Sequence, residues 1–230
     1  MRMHWRPFWV VHEVVLKTSP NSLGAGICDT RRFSGAPAPV RAIAHLVPDL
    51  RPLPAPRERA AAGGAQLVCF PELNITGYCN RPELAAAAIS MSGPEVCAVS
   101  QMAKTHGIVI LAGMAEKHAS GTIYASHLVL TPDGDVGVYR KVHIAPPERV
   151  IFAAGDKTPV FSAGGICFGI QLCYDAHFPE LSSAMTAKGA EVIFIPHASP
   201  RGNAEEKHDS WMRHLPARAF DNSVFIVAWN

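Results

Sequence analysis

From residue 65 onward, short apolar runs alternate with stretches in which apolar residues recur every three or four positions. The runs at 65–70, 108–114, 123–131, 136–140, 166–172, 192–196 and 224–229 are rich in Val, Ile and Phe and too short for helices, so they predict strands. Helices are predicted at 94–106, 179–188 and 204–220, the first two opened by Pro94 and Pro179, whose missing N–H is no loss in a first helical turn. A further helix end at 57–64 closes on Gly63 and Gly64. Pro132-Asp133-Gly134-Asp135 has hairpin chemistry between two strands, so the sheet should be mixed. Strands and helices in alternation indicate a layered α/β domain.

The first 60 residues differ. They hold eight of the 19 prolines and show no sustained period of 2 or 3.6. Apart from a short strand predicted within 9–15, residues 1–56 read as an irregular segment preceding the domain at 57–230. Nine Lys and Arg against four acids fall in residues 1–60, yet the whole chain of 230 residues carries a net charge of only +2. That balance gives no field for nucleic acid or anionic lipid. The six cysteines at 28, 69, 79, 97, 167 and 173 form no CxxC pair, and Cys69, Cys167 and Cys173 lie in or at the end of apolar runs. This points to reduced thiols in a cytoplasmic protein, with neither a zinc ribbon nor a disulfide framework. No apolar run approaches the ~20 residues of a membrane span. The N-terminal stretch is broken by His12 and Glu13 before any cleavage signal, so no signal peptide is expected.

Three segments place an ionisable residue directly after an apolar run, where α/β folds expose functional groups: Leu67-Val-Cys-Phe-Pro-Glu72, Val138-Tyr-Arg-Lys141 and Phe168-Gly-Ile-Gln-Leu-Cys173. A thiol, a carboxylate and an ammonium are what acyl transfer through sulfur requires. Cys173 would attack a carbonyl or nitrile carbon, Glu72 would carry the proton, and Lys141 would stabilise the developing oxyanion. Taken singly, each residue has a plainer reading: a buried small hydrophobe, a loop carboxylate, a surface lysine. Metal catalysis is not supported, since His197, His208 and His214 lack the spacing of a zinc site. No cofactor is expected.

The flanks of these residues resemble the nitrilase superfamily, the carbon-nitrogen hydrolases. Its three signatures stand here, in family order, as Phe70-Pro-Glu72-Leu-Asn-Ile-Thr-Gly77-Tyr78, Tyr139-Arg-Lys141-Val-His143 and Gly169-Ile-Gln-Leu-Cys173-Tyr174-Asp175-Ala-His-Phe178-Pro179-Glu180. Further matches are Gly113-Met-Ala-Glu116, Ile195-Pro-His197-Ala198 and the stretch from Trp211 through Arg218 to Asn222. The resemblance implies an αββα sandwich, a Glu72-Lys141-Cys173 triad, and Glu116 as a second glutamate that positions substrate and lysine. It also implies an oxyanion contact from the Tyr174 backbone N–H, substrate contacts around His197 and Ala198, and pairing of two sandwiches into a homodimer through helices 179–188 and 204–220. The expected substrate is a small amide or N-carbamoyl compound, with a nitrile as alternative and an incomplete, non-catalytic family member as the competing class. Arg201 is a candidate partner for a substrate carboxylate; a solvated loop arginine is the alternative reading.

The chain departs from the family pattern at both ends. Residues 1–56 show neither the expected first core strand nor the helix after it, and the family's C-terminal strands are expected to be missing beyond Asn230. The last strand, 224–229, would then carry an unprotected edge.

Overall fold

The computed structural model describes residues 9–10, 14–16, 65–79, 81–199 and 202–230. The helix end read at 57–64, most of the irregular segment and Arg201 lie outside the described residues. Among the described residues, ten strands form two five-stranded sheets. The first has the order β1 (Trp9–Val10), β10 (Phe225–Trp229), β9 (Val192–Pro196), β8 (Ile166–Ile170), β7 (Val160–Ala163). The second has the order β2 (Val14–Leu16), β3 (Leu67–Cys69), β4 (Val109–Lys117), β5 (Ile123–Leu130), β6 (Val136–Arg140). Both are mixed: β1, β10, β9 and β8 run parallel with β7 antiparallel, whereas only β3 and β4 are parallel in the second sheet.

The period-two alternation explains the layers. Along β4, Val109, Leu111 and Ala115 join a core shared with Phe168, Ile170 and Phe194 of the first sheet, so the two sheets pack face to face. The intervening Ile110, Ala112 and Met114 turn outward against Val96, Val99 and Ala103 of α1 (Pro94–His106). Those three helical positions share one face by their spacing. Because β4 is covered on both faces, it reads as a continuous apolar run. On the other side, α2 (Pro179–Ala187) packs on β8 and α4 (Leu215–Asn222) on β10. The order helix, sheet, sheet, helix is the αββα sandwich expected from the sequence.

Four features differ from the sequence reading. The strand predicted within 9–15 is two strands, one in each sheet. β1 pairs with β10 through Trp9 and Val227 and through Val10 and Ala228, so the last strand has a neighbour on each side and its edge is covered. β7 was not predicted because its residues are only partly buried; it joins β8 through a two-residue hairpin at Gly164-Gly165, both with positive φ. The helix expected at 204–220 is broken into α3 (Ala204–Met212) and α4. Pro216 has no N–H for the Met212 carbonyl, and its ring would press on that carbonyl in a continuous helix.

One close approach places the end of β6. The Gly155 N–H donates to the Lys141 carbonyl at 2.7 Å, and a Cβ on Gly155 would lie 2.4 Å from the Arg140 carbonyl oxygen. Gly155→Ala should therefore force the backbone under Lys141 to move, costing about 1–3 kcal/mol as overpacking does. The measurement is urea unfolding, where the midpoint should fall with an unchanged slope.

Candidate active site

Glu72 follows β3 and is held by the loop behind it. The side chains of Asn74 and Thr76 accept the N–H groups of Gly113 (2.7 Å) and Ala115 (2.9 Å), so the loop runs along β4 as a substitute strand. Across the sandwich, the Glu72 N–H donates to the His197 carbonyl at 3.3 Å, tying the end of β3 to the end of β9. Lys141 directly follows β6, and its N–H extends the ladder by donating to Ala125. Cys173 sits at an elbow after β8, at φ 46°, opening the single turn Cys173–His177. A non-glycine residue in the left-handed region is strained, and such strain concentrates at functional sites.

These three strand ends converge. Lys141 Nζ donates to Glu72 Oε1 and to Glu148 Oε2, each at 2.8 Å, and the Lys141, Glu72 and Glu148 side chains are 0%, 1% and 4% exposed. With water excluded, the three charges must satisfy one another. Burial lowers the ammonium's affinity for its proton, but Glu72, Cys173 and Glu148 more than reverse this and hold Lys141 well above its ordinary value. An ammonium has three N–H donors, so two carboxylates leave one for a further acceptor. Burial pushes the Glu72 carboxyl up against the opposing pull of Lys141. Its second oxygen, Oε2, is buried with no hydrogen-bond partner among the described residues. Burial, with Glu72 next, pushes the Cys173 thiol well up, while Lys141 and a hydrogen bond from the Ala198 backbone favour the thiolate.

Glu116 is not the second carboxylate on Lys141. It is engaged by Arg140, through Nε at 2.8 Å and Nη2 at 2.6 Å, and accepts the Ser126 hydroxyl at 2.6 Å. Burial opposes its ionisation, yet these bonds keep its carboxyl below the usual range. The position expected of Glu116 is filled by Glu148, in the short turn Pro146–Glu148, whose other oxygen accepts the Tyr78 hydroxyl at 2.9 Å. Adjacent positions on β6 point to opposite faces, so Arg140 and Lys141 cannot both meet one glutamate on β4. Nothing in the local pattern of Pro146-Pro147-Glu148 marks the residue; the clue was only that a buried lysine with one carboxylate is underpaired.

Of the remaining candidates, Tyr174 follows Cys173 directly, and His197 and Ala198 lie on the segment whose His197 carbonyl accepts the Glu72 N–H. The Tyr174 ring packs against His177 and Phe178, each with centroids 5.4 Å away. The His197 ring bonds the Ile195 carbonyl at 2.9 Å and lies against Trp211, and burial pulls its pKa down to about 3, so it is neutral. Asp175 was missed as a structural hub. It accepts from the Tyr139 hydroxyl (2.7 Å), the His143 N–H (2.7 Å) and the Leu172 N–H (3.0 Å), joining the lysine segment to the cysteine elbow. Among the described residues, no group of three or more His, Cys, Asp or Glu is placed to hold a metal ion. None of their helices is long and apolar enough to cross a membrane.

The family model for carbon-nitrogen hydrolase matches residues 55–230. An (R)-stereoselective amidase from a Pseudomonas species is 32% identical over 169 residues, covering 74% of this chain and 60% of the amidase. An N-carbamoylputrescine amidase from Arabidopsis thaliana is 34% identical over 146 residues, covering 60% of this chain and 48% of that protein. The chain thus spans well under two thirds of the length of these curated relatives. Among solved structures, a variant of an amidase from Nesterenkonia sp. AN1 superimposes with a TM-score of 0.65 at 27% identity, covering 75% of this chain and 66% of the amidase. That structure carries the acetamide moiety of fluoroacetamide covalently on its active-site cysteine. A family match over most of the chain, the two facing sheets and the meeting of Glu72, Lys141 and Cys173 at three strand ends lead to one conclusion: the chain belongs to the carbon-nitrogen hydrolase family.

Proposed function

We propose that this protein hydrolyses the C–N bond of a small amide or N-carbamoyl compound through a thioester on Cys173. The observation that carries this reading is the division of labour on Glu72: Oε1 is committed to Lys141 at 2.8 Å, while Oε2 is buried and unpartnered among the described residues. A carboxylate with one free, desolvated oxygen acting on a thiol that burial keeps protonated is a general base in waiting.

The Cys173 thiol passes its proton to Glu72 as sulfur bonds to the substrate carbonyl carbon, and the carbonyl electron pair moves onto oxygen. The third donor of Lys141 and the Tyr174 backbone N–H hold that oxyanion. The intermediate collapses, the C–N bond breaks, and Glu72 returns the proton to the leaving nitrogen. A water, deprotonated by Glu72, then adds to the thioester carbon; the C–S bond breaks and the acid leaves with the thiol restored. Glu148 holds Lys141 charged and in place throughout. The Nesterenkonia adduct on a cysteine supports the covalent step by analogy. Glu116 has no part in this scheme beyond anchoring Arg140.

Ammonia release from a panel of small amides, ureido acids and nitriles tests the reading, with amides or ureido acids expected to react. Cys173→Ala should abolish turnover and leave the unfolding midpoint near the parent value. Glu72→Gln should be nearly inactive because it cannot carry a proton. Lys141→Ala should lose about 2.7–4 kcal/mol of transition-state stabilisation. It should also cost about 3–5 kcal/mol of folding stability, since two buried carboxylates lose their shared cation.

The pH dependence follows from Glu72. Because burial raises its pKa, the base form is lost on acidification at a higher pH than for an ordinary glutamate near ~4.3. The kcat/KM profile should therefore fall on its acid side above that value, and iodoacetamide alkylation of Cys173 should show the same limb. Glu72→Gln should remove it. An alkylation rate that instead rises near pH ~8.5 in both proteins would indicate a water-exposed thiol acting alone.

Pairing of two copies through α2 and the α3–α4 region belongs to the same proposal. Met212 and Phe220, 43% and 63% exposed, supply apolar area there. Light scattering at micromolar concentration should give a dimer, and a monomer would overturn the pairing.

A further inference from the structure

Lys207 is the residue of the first turns of α3 that faces inward: it is half-buried, while residues 202–206 and 208–210 are exposed. Its ammonium donates to the Ser199 carbonyl. Ser199 follows Ala198, whose backbone favours the Cys173 thiolate, and Ser199 is itself pinned by its N–H donating to Asn230 Oδ1 at 2.7 Å. The ammonium is thus held on the same chain segment that meets Glu72, since His197, two residues before Ser199, accepts the Glu72 N–H through its carbonyl. Among the described residues it forms no ion pair, although Glu205, Glu206 and Asp209 lie on its own helix. Glu206 is occupied elsewhere, closing the cap of α3 on the Asn203 N–H at 3.0 Å. Partial burial pulls the Lys207 pKa down, and a thiolate at Cys173 would act on it in the opposite sense.

We propose that Lys207 is the specificity-determining cation of this site, binding a carboxylate carried on the acyl part of the amide substrate. The inference rests on the hydrolase reading above and deepens it. Among the described residues, the interior of the site holds the carboxylates of Glu72, Glu148 and Asp175 around a single lysine, so an anion is repelled from that side. The side of the thiol toward Ser199 presents a fixed cation lacking a carboxylate partner. An anionic substrate is therefore accepted in one orientation only: scissile carbonyl at Cys173, carboxylate toward α3, leaving nitrogen toward Glu72. An ammonium on a backbone carbonyl keeps two further donors for that carboxylate.

The test compares a monoamide of a linear dicarboxylic acid, succinamate, with the uncharged butyramide. In the parent protein kcat/KM should favour succinamate. Lys207→Met should lower the ratio of the two values about 10- to 100-fold, the size of a lost hydrogen bond to a charged group, while Lys207→Arg should retain most of it. An unchanged ratio, or an equal loss on both substrates, would overturn the proposal, the latter by assigning Lys207 to the thiolate instead. Calorimetric binding of succinamate to Cys173→Ala, with and without Lys207→Met, reads the subsite without turnover. Binding that depends on Lys207 in a protein that hydrolyses no amide would sink the hydrolase reading and keep the subsite; amide turnover without charge preference would do the reverse.

Discussion

The structure is organised around one buried ammonium. Lys141 is fully out of water, and carrying such a charge into the interior costs several kcal/mol unless good geometry restores what hydration supplied. Two carboxylates at 2.8 Å do so, and each comes from a different part of the chain: Glu72 from the loop after β3 and Glu148 from the turn at 146–148. Removing any one member leaves uncompensated charge in a dry site. The cluster therefore constrains where three separate backbone segments can lie.

The second constraint is that these segments belong to two sheets that must not slide. The thiol belongs to the first sheet, the carboxylate and ammonium to the second. Asp175, immediately past the elbow, accepts from Tyr139 on β6 and from the His143 N–H, while the Glu72 N–H reaches the His197 carbonyl after β9. Apolar packing between the sheets is nondirectional; these bonds supply the register that holds the reacting groups in place. His143 adds a stacked contact with Phe178, centroids 3.6 Å apart, over the same junction.

Burial also sets the chemistry. It raises the thiol and the Glu72 carboxyl together, which in the proposed reaction keeps the proton on sulfur until a substrate is present. A thiol held protonated in this way is spared adventitious oxidation, since thiolate is the reactive form. The carboxylates leave a net negative interior, and the proposed role of Lys207 follows from that excess.

Much of this was legible in the chain itself. Apolar runs followed at once by Glu72, Lys141 and Cys173 marked the strand ends from which these side chains emerge, because a strand buried on both faces reads as a continuous apolar segment and the first residue past it emerges at the sheet edge. β6 and β9 begin and end at the predicted residues, and α1 does so because Pro94 opens it and Gly107 closes it in the left-handed region. What the chain could not show was which distant groups meet. Glu116 and Glu148 are equally plausible partners for a lysine until the path of the loop at 146–148 and the face of β6 are known, and only then does Arg140 claim one and Lys141 the other. The same holds for the placing of Trp9–Val10 and Val14–Leu16 in different sheets, the pairing of β10 with β1, and the inward turn of Lys207. Local periodicity reports the environment along one element; pairing of charges and strands far apart in sequence depends on the three-dimensional path of the backbone, which no local pattern encodes.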